Sequence, residues 1–197
     1  MDVPGAGDDG RLRAAAAGYQ PLPSRLTTVG EVAGVTFVDD SLATNVLPTL
    51  AALDAFPGRR IALIVGGHDR GIDYAPLAAG LLAREAPTYV LTLPDSGPRI
   101  RATLESVTKP APTTTPTPAV TPTPAVTPTP AASMAPPGTG FAGVTDCPDL
   151  AAAVAAGFRW AQPDGLVLLS PAAPSFGHFK DYRDRGEAFA RAVRALG

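Results

Sequence analysis

The chain has 197 residues, which suits one domain or one domain with a tail, and its formal net charge is −2. That charge provides no attraction to nucleic acid or to an anionic membrane, so we expect neither as a partner. A single cysteine, Cys147, excludes an intrachain disulfide and agrees with a cytoplasmic location. No apolar run reaches the roughly 18 residues of a membrane span, and the acidic N-terminus is unlike a signal peptide.

Along the chain, strand and helix patterns alternate after an irregular start. Residues 1–20 predict a flexible segment with a short helix over 11–18, the remnant of a preceding domain. Prolines at 21 and 23 then force an extended connection into a strand over 25–29. Further strands are predicted over 35–39, 60–65, 88–93, 142–144 and 165–169, and helices over 46–56, 74–85, 96–107, 148–162 and 179–196.

This alternation predicts an α/β fold, a Rossmann-like and mainly parallel sheet with helices on both faces. For the helix over 148–162, Asp146 or Cys147 is the predicted cap, with Pro148 in the first turn.

A Pro/Thr-rich segment over 109–140 interrupts the pattern and holds ten of the 23 prolines. Such a segment lacks the apolar residues and N–H donors of a packed element, so we predict a disordered insertion. It could also bind a partner, but a tolerated surface insertion is the favoured interpretation because long loops cost little. Residues 141–197 are too few for a separate core and should complete the same sheet.

Polar or Gly-rich residues follow three of the predicted strands. They are Asp39 to Ser41, Gly66 to Asp73 and Ser170 to Phe176. Ligands bind outside the carboxyl ends of parallel strands, so these stretches predict one site. The Gly-rich stretch is neither a dinucleotide fingerprint nor a phosphate-binding P-loop, and no P-loop occurs elsewhere in the chain.

The two aspartates should face opposite sides of their strand and therefore not act as an acid/base pair. One should cap the following turn, and the other could hold a hydroxyl or a metal-bound phosphate. Arg70 could fork onto a carboxylate or phosphate, or be a surface charge.

For the remaining candidate residues, a structural role is favoured over a functional one. His68 and His178 lack metal-ligand spacing, and Cys147 should be inert, so no metal site and no catalytic side chain is predicted. The charged run 181–185 is typical of a solvated helix face, although its position keeps Tyr182 of interest.

Four ordered blocks carry a family resemblance: 22–26, 38–45, 66–73, and 169–176 with 179–186. With them the sequence resembles the C-terminal domain of the Mur ligases, in particular of the UDP-N-acetylmuramoyl-L-alanine:glutamate ligases of peptidoglycan synthesis. The resemblance covers residues 11–197 apart from the insertion, and it implies a glutamate-binding domain over 21–197.

The resemblance implies an ATP-dependent amide ligase that forms an acyl phosphate on UDP-N-acetylmuramoyl-L-alanine, which the glutamate amine attacks. ATP and Mg²⁺ would be held mostly by a central domain. By matching position, the glutamate-binding residues would be Thr44, Arg70, Ser175 and Tyr182. Arg25 and Asp40 would contact the ribose side of the nucleotide.

The sequence departs from the family in two motifs. Leu42 replaces the usual lysine, and Phe-Gly-His follows Ser175 in place of the usual apolar-Asp-x. Both changes resemble a branch that adds L-glutamate, but D- and L-glutamate both remain open.

The UDP-binding and ATPase domains of the family are absent from the chain. We therefore expect it to need them in cis or in trans, as a fragment, truncated product or split subunit that is inactive alone. The alternative is a non-catalytic remnant or binding module that kept the fold.

Overall fold

The computed structural model describes residues 22–108 and 140–197. The predicted flexible segment 1–20 and the insertion, except its last residue, lie outside them. The strands are β1 Thr27–Val32, β2 Val35–Asp39, β3 Ile61–Gly67, β4 Thr88–Asp95, β5 Phe141–Asp146 and β6 Leu166–Leu169. The helices are α1 Val46–Asp54, α2 Ala75–Ala83, α3 Gly97–Thr108, α4 Leu150–Ala161 and α5 Tyr182–Arg194. None of these helices combines the length and apolar character needed to cross a bilayer.

The six strands form one sheet in the order β1-β2-β6-β3-β4-β5. Strand β1 pairs antiparallel with β2, and all other pairs are parallel. The last strand, β6, lies in the centre between β2 and β3, so the segment after the insertion completes the sheet, as predicted. The α/β fold with a mainly parallel sheet is confirmed.

Helices cover both faces of the sheet, because successive strand residues alternate between two apolar cores. On one face, Leu63, Val65 and Leu168 pack with α1, α2 and α3. On the other, Ile64 and Leu169 pack with α4 and α5. The central strands are therefore apolar along their whole length, which is typical of parallel strands buried on both sides.

The start of α4 differs from the prediction. Its cap is Asp149, whose carboxylate accepts a hydrogen bond from the Ala152 N–H at 2.8 Å. The predicted cap, Asp146 or Cys147, is wrong, because Asp146 belongs to the end of β5. There its carboxylate accepts from the Thr92 hydroxyl and lies 2.9 Å from the Arg101 guanidinium. Pro148 precedes the helix instead of lying in its first turn.

At the end of β3, Gly67 permits a close approach between two chain segments. Its φ is +153°, and a Cβ there would collide with the carbonyl oxygen of Pro174. The Ser96 hydroxyl accepts a hydrogen bond from the Gly67 N–H at 3.1 Å. A residue without a side chain is therefore needed where β3 passes under the loop that follows β6.

Candidate functional site at the carboxyl ends of the strands

Three loops meet at the carboxyl edge of the sheet: 40–45 after β2, 68–74 after β3 and 170–181 after β6. The last contacts both others, because β6 lies between β2 and β3. The Ser170 hydroxyl donates to the Asp40 carboxylate at 2.7 Å on one side. On the other, the His68 N–H donates to the Pro174 carbonyl at 3.0 Å. The predicted meeting of these stretches is confirmed.

A buried arginine holds the β2 and β6 loops to α5. The Arg185 guanidinium is 0% exposed and donates to the Ala173 carbonyl at 3.1 Å and to the Ser41 carbonyl at 2.8 Å. Burial lowers the pKa of Arg185 to about 10, against the attraction of the Asp39 carboxylate. The guanidinium thus joins the β2 and β6 loops, and its Nη1 lies close beside Gly67 at the end of β3.

The prediction that 181–185 is only a solvated face is wrong for Arg185. A signal was present in the sequence, since Arg185, Phe189 and Val193 recur at every fourth residue and all three are buried. Spacing could have placed Arg185 on the apolar stripe, but its charge argued against burial.

The two aspartates have different roles, and one of them caps the following turn, as the sequence predicted. One Asp39 oxygen accepts from the Ser41 N–H at 2.9 Å and from the Ser41 hydroxyl, which caps the turn after β2. The Asp40 carboxylate accepts from the Ser170 hydroxyl at 2.7 Å and from the Leu26 N–H at 3.4 Å. The hydroxyl that Asp40 holds therefore belongs to the protein. Burial raises the pKa of Asp40 above its ordinary value.

All of the predicted site residues lie at this edge of the sheet. Thr44 and Arg70 are exposed on the β2 and β3 loops, Ser175 is buried in the β6 loop, and Tyr182 is half-buried in the first turn of α5. Because β1 is antiparallel, its start also lies at this edge, and Arg25 is exposed just before it. The structure therefore brings these residues to one edge of the sheet.

The loop that carries Arg70 is held by contacts that the sequence did not predict. Asp69 accepts from the Gly71 N–H at 2.9 Å and forms an ion pair with Arg99 of α3. Arg99 also donates to the Ile72 carbonyl at 3.0 Å. The Arg70 guanidinium carbon lies 5.4 Å from the centre of the Phe176 ring.

A cavity of about 320 Å³ lies behind the β6 loop, at the ends of β3 and β4. Ser175, His178 and Arg185 are the polar residues of its wall on that side, and the start of α4 closes the other side. The His178 Nε2 lies 3.2 Å from an Asp95 oxygen, which ties the loop to β4. Of the four predicted glutamate-binding residues, only Ser175 lines this cavity.

Across residues 22–108 and 140–197, no group of three or more His, Cys, Asp or Glu side chains could hold a metal ion. Cys147 is buried, and burial raises the pKa of its thiol, which disfavours the reactive thiolate.

The fold and the position of the loops define a Rossmann-like α/β domain whose polar loops meet at the carboxyl ends of the strands. The family profile described as "Mur ligase, glutamate ligase domain" matches residues 24–173. The chain therefore belongs to the Mur ligase family, which confirms the resemblance seen in the sequence.

Relatives with similar sequences are named UDP-N-acetylmuramoyl-L-alanine–L-glutamate ligase. That of Micromonospora sp. is 43% identical over 93% of this chain. Those of Salinispora tropica and Xanthomonas euvesicatoria pv. vesicatoria are 40% and 38% identical over the same share. The chain spans about a third of each, 33%.

A solved murein peptide ligase from Psychrobacter arcticus has a similar fold. Its TM-score is 0.52 at 13% identity, covering 91% of this chain and 32% of that one.

Replacing the buried arginine should destabilise the whole edge. In Arg185→Met, the Ser41 and Ala173 carbonyls lose their donors, so we expect the free energy of unfolding to fall by about 2–4 kcal/mol. Arg194→Met, an exposed arginine of the same helix, should change it by less than about 0.5 kcal/mol. Urea unfolding measures both variants, and equal effects would contradict the bridging role of Arg185.

Ionisation of Asp40 should lower the free energy of unfolding, which is the opposite of the usual effect of a carboxylate. Its pKa is raised from 3.8 by burial, so the folded state binds more protons than the unfolded state from about pH 4 upward. Its ionisation therefore lowers stability as the pH rises through that window. The difference in unfolding free energy, wild type minus Asp40→Asn, should fall as the pH rises from about 4 through the raised pKa of Asp40.

Asp69 provides the matched comparison of opposite sign. The Gly71 N–H, and then Arg99, lower its pKa, so its contribution is lost as the pH falls. The difference in unfolding free energy, wild type minus Asp69→Asn, should therefore rise with pH. Parallel pH profiles for the two variants would rule out the raised pKa of Asp40.

Proposed function

We propose that this chain is the amino-acid-binding domain of an ATP-dependent ligase that joins L-glutamate to UDP-N-acetylmuramoyl-L-alanine. The observation that carries the proposal is the convergence of the family motifs on one edge of the sheet, with an exposed arginine and three hydroxyl residues among them. The names of the relatives, which specify L-glutamate, support that enantiomer over D-glutamate. We take residues 21–197 as the domain and 1–20 as the end of a preceding one.

Glutamate has two carboxylates, and the edge offers the groups that recognise them. Arg70 is the exposed cation of the β3 loop, and its planar guanidinium suits bidentate binding of a carboxylate. Thr44, Ser175 and Tyr182 would add hydroxyl donors from the β2 loop, the β6 loop and α5. Their placement on three elements held together by Arg185 would fix the spacing between the two carboxylate subsites.

We assign Arg25 and Asp40 to the ribose side of the nucleotide, Arg25 by direct contact and Asp40 by holding the turn that carries it. Arg25 is exposed and can contact it directly. Asp40 is only 4% exposed and accepts from the Leu26 N–H. We assign Asp40 the role of an anion that attracts Arg25 and fixes the turn that carries it.

The chemical contribution of this domain would be positioning. The glutamate amine attacks the acyl phosphate, and holding the two in contact supplies much of the rate enhancement. No side chain of the edge is assigned proton transfer. ATP and Mg²⁺ belong to the proposed complete enzyme. This chain has no P-loop, so other domains would bind the phosphates of ATP. The described residues also lack a group of three or more metal-ligating side chains, so the other domains would supply most ligands of the Mg²⁺.

The test combines the chain, fused or in trans, with the remaining domains of the Micromonospora relative. ADP release with UDP-N-acetylmuramoyl-L-alanine, ATP and Mg²⁺ is measured with each glutamate enantiomer. We expect release with L-glutamate only. Arg70→Ala should raise the KM for glutamate at least about tenfold, because a charged hydrogen bond is lost, while Arg194→Ala should match wild type.

Three outcomes would contradict the proposal in different ways. Equal rates with D-glutamate would overturn the enantiomer, and an unchanged KM in a folded Arg70→Ala variant would remove Arg70 from the site. A complete, folded assembly that releases no ADP would favour the non-catalytic binding module instead.

A further inference from the structure

Phe176 is a large apolar side chain that reaches solvent at the edge where the loops meet. Its side chain is 50% exposed, although burial of a phenylalanine side chain away from water is favourable. Its loop offers an apolar environment nearby, since Phe179, three residues later, packs partly into the core beside α4 and α5. Packing in the core therefore does not explain the position of Phe176.

The ring of Phe176 is the partner of a cation. The Arg70 guanidinium carbon lies 5.4 Å from the ring centre, within the range of a cation–π interaction. Among the residues that the structure describes, Arg70 forms no ion pair and no side-chain hydrogen bond. Apart from its contact with the ring, the guanidinium is therefore uncommitted to any described side chain.

The backbones on both sides of this contact are fixed. The Arg70 loop is held by the ion pair of its neighbour Asp69 with Arg99. The Phe176 loop is held by the Pro174 carbonyl, which accepts from the His68 N–H at 3.0 Å, and by the Phe179 N–H, which donates to the Ser175 carbonyl at 3.2 Å. The contact between ring and guanidinium thus joins two loops whose backbones are held by hydrogen bonds and by a neighbouring ion pair.

A guanidinium against a ring face keeps the donors in its own plane free for a carboxylate. An exposed arginine otherwise loses considerable side-chain entropy when it binds. When an aromatic ring already restricts the arginine side chain in the free protein, less side-chain entropy is lost on binding.

We propose that Phe176 is a positioning residue for ligand binding: its ring holds the Arg70 guanidinium in place to receive a carboxylate of the incoming amino acid. The ligand part of this inference rests on the proposed function, whereas the order of Arg70 in the free protein does not.

The first experiment needs no ligand. In the ¹⁵N-labelled 197-residue chain, the Arg70 Nε–Hε resonance should carry a ring-current shift and a high order parameter. Phe176→Leu should remove the shift and lower the order, and Phe176→Tyr should retain both. Val107→Ala, an exposed apolar change on α3, should leave the resonance unchanged. An unchanged Arg70 resonance in a folded Phe176→Leu variant would overturn the proposal.

The second experiment titrates the same variants with L-glutamate by calorimetry. Phe176→Leu should weaken binding by about two- to fivefold, the effect of one exposed cation–π contact, and Phe176→Tyr should restore it. In an Arg70→Ala background, Phe176→Leu should have no further effect.

The two failures are distinguishable. If the wild-type chain binds L-glutamate and Phe176→Leu binds it equally well, the positioning role is wrong while the proposed function stands. If the wild-type chain does not bind L-glutamate, the glutamate site is wrong and the ligand part of the inference is overturned with it, whatever order Arg70 shows.

Discussion

The buried guanidinium of Arg185 is the contact on which the arrangement of the edge depends. Burying a cation is costly, and the cost is offset here by two carbonyls from different loops and by the nearby Asp39 carboxylate. Only an arginine has the rigid fork that reaches both carbonyls at once. The position of the β6 loop, and with it Ser175 and Phe176, therefore follows from a residue that lies on α5.

Strand order supplies the second constraint. With β6 between β2 and β3, residues from the last quarter of the chain lie beside residues from the first. The Ser170 hydroxyl thus meets the Asp40 carboxylate across 130 positions of sequence. The Pro/Thr-rich insertion enters after α3 and leaves into β5, an edge strand. Both attachment points lie at the amino ends of the strands, at the edge of the sheet opposite the site.

Much of this fold could be predicted from the sequence because its signals are local. Apolar runs that end in polar turns located every strand from β2 to β6 to within a few residues. The cap of α4 could not be predicted, because Asp146 and Asp149 are equally good caps in sequence and only the sheet assigns Asp146 to Thr92 and Arg101. The contact between Arg70 and Phe176 was also unpredictable, because it depends on how two distant loops approach.

The site was predicted in part, and for two different reasons. The clustering of polar residues followed from the rule that the carboxyl ends of parallel strands share one edge. The individual roles of Thr44, Arg70, Ser175 and Tyr182 came from the family resemblance and stay predictions. Arg185 was missed because a charged residue argues against burial, even when its spacing matches an apolar stripe.

The most direct measurement is an NMR titration of the ¹⁵N-labelled chain with L-glutamate, which maps where the amino acid binds. We predict shift changes confined to the amides of the three edge loops, 40–45, 68–74 and 170–181, and the first turn of α5. Shift changes at the opposite edge of the sheet, or none at saturating glutamate, would contradict a glutamate site at the carboxyl ends of the strands.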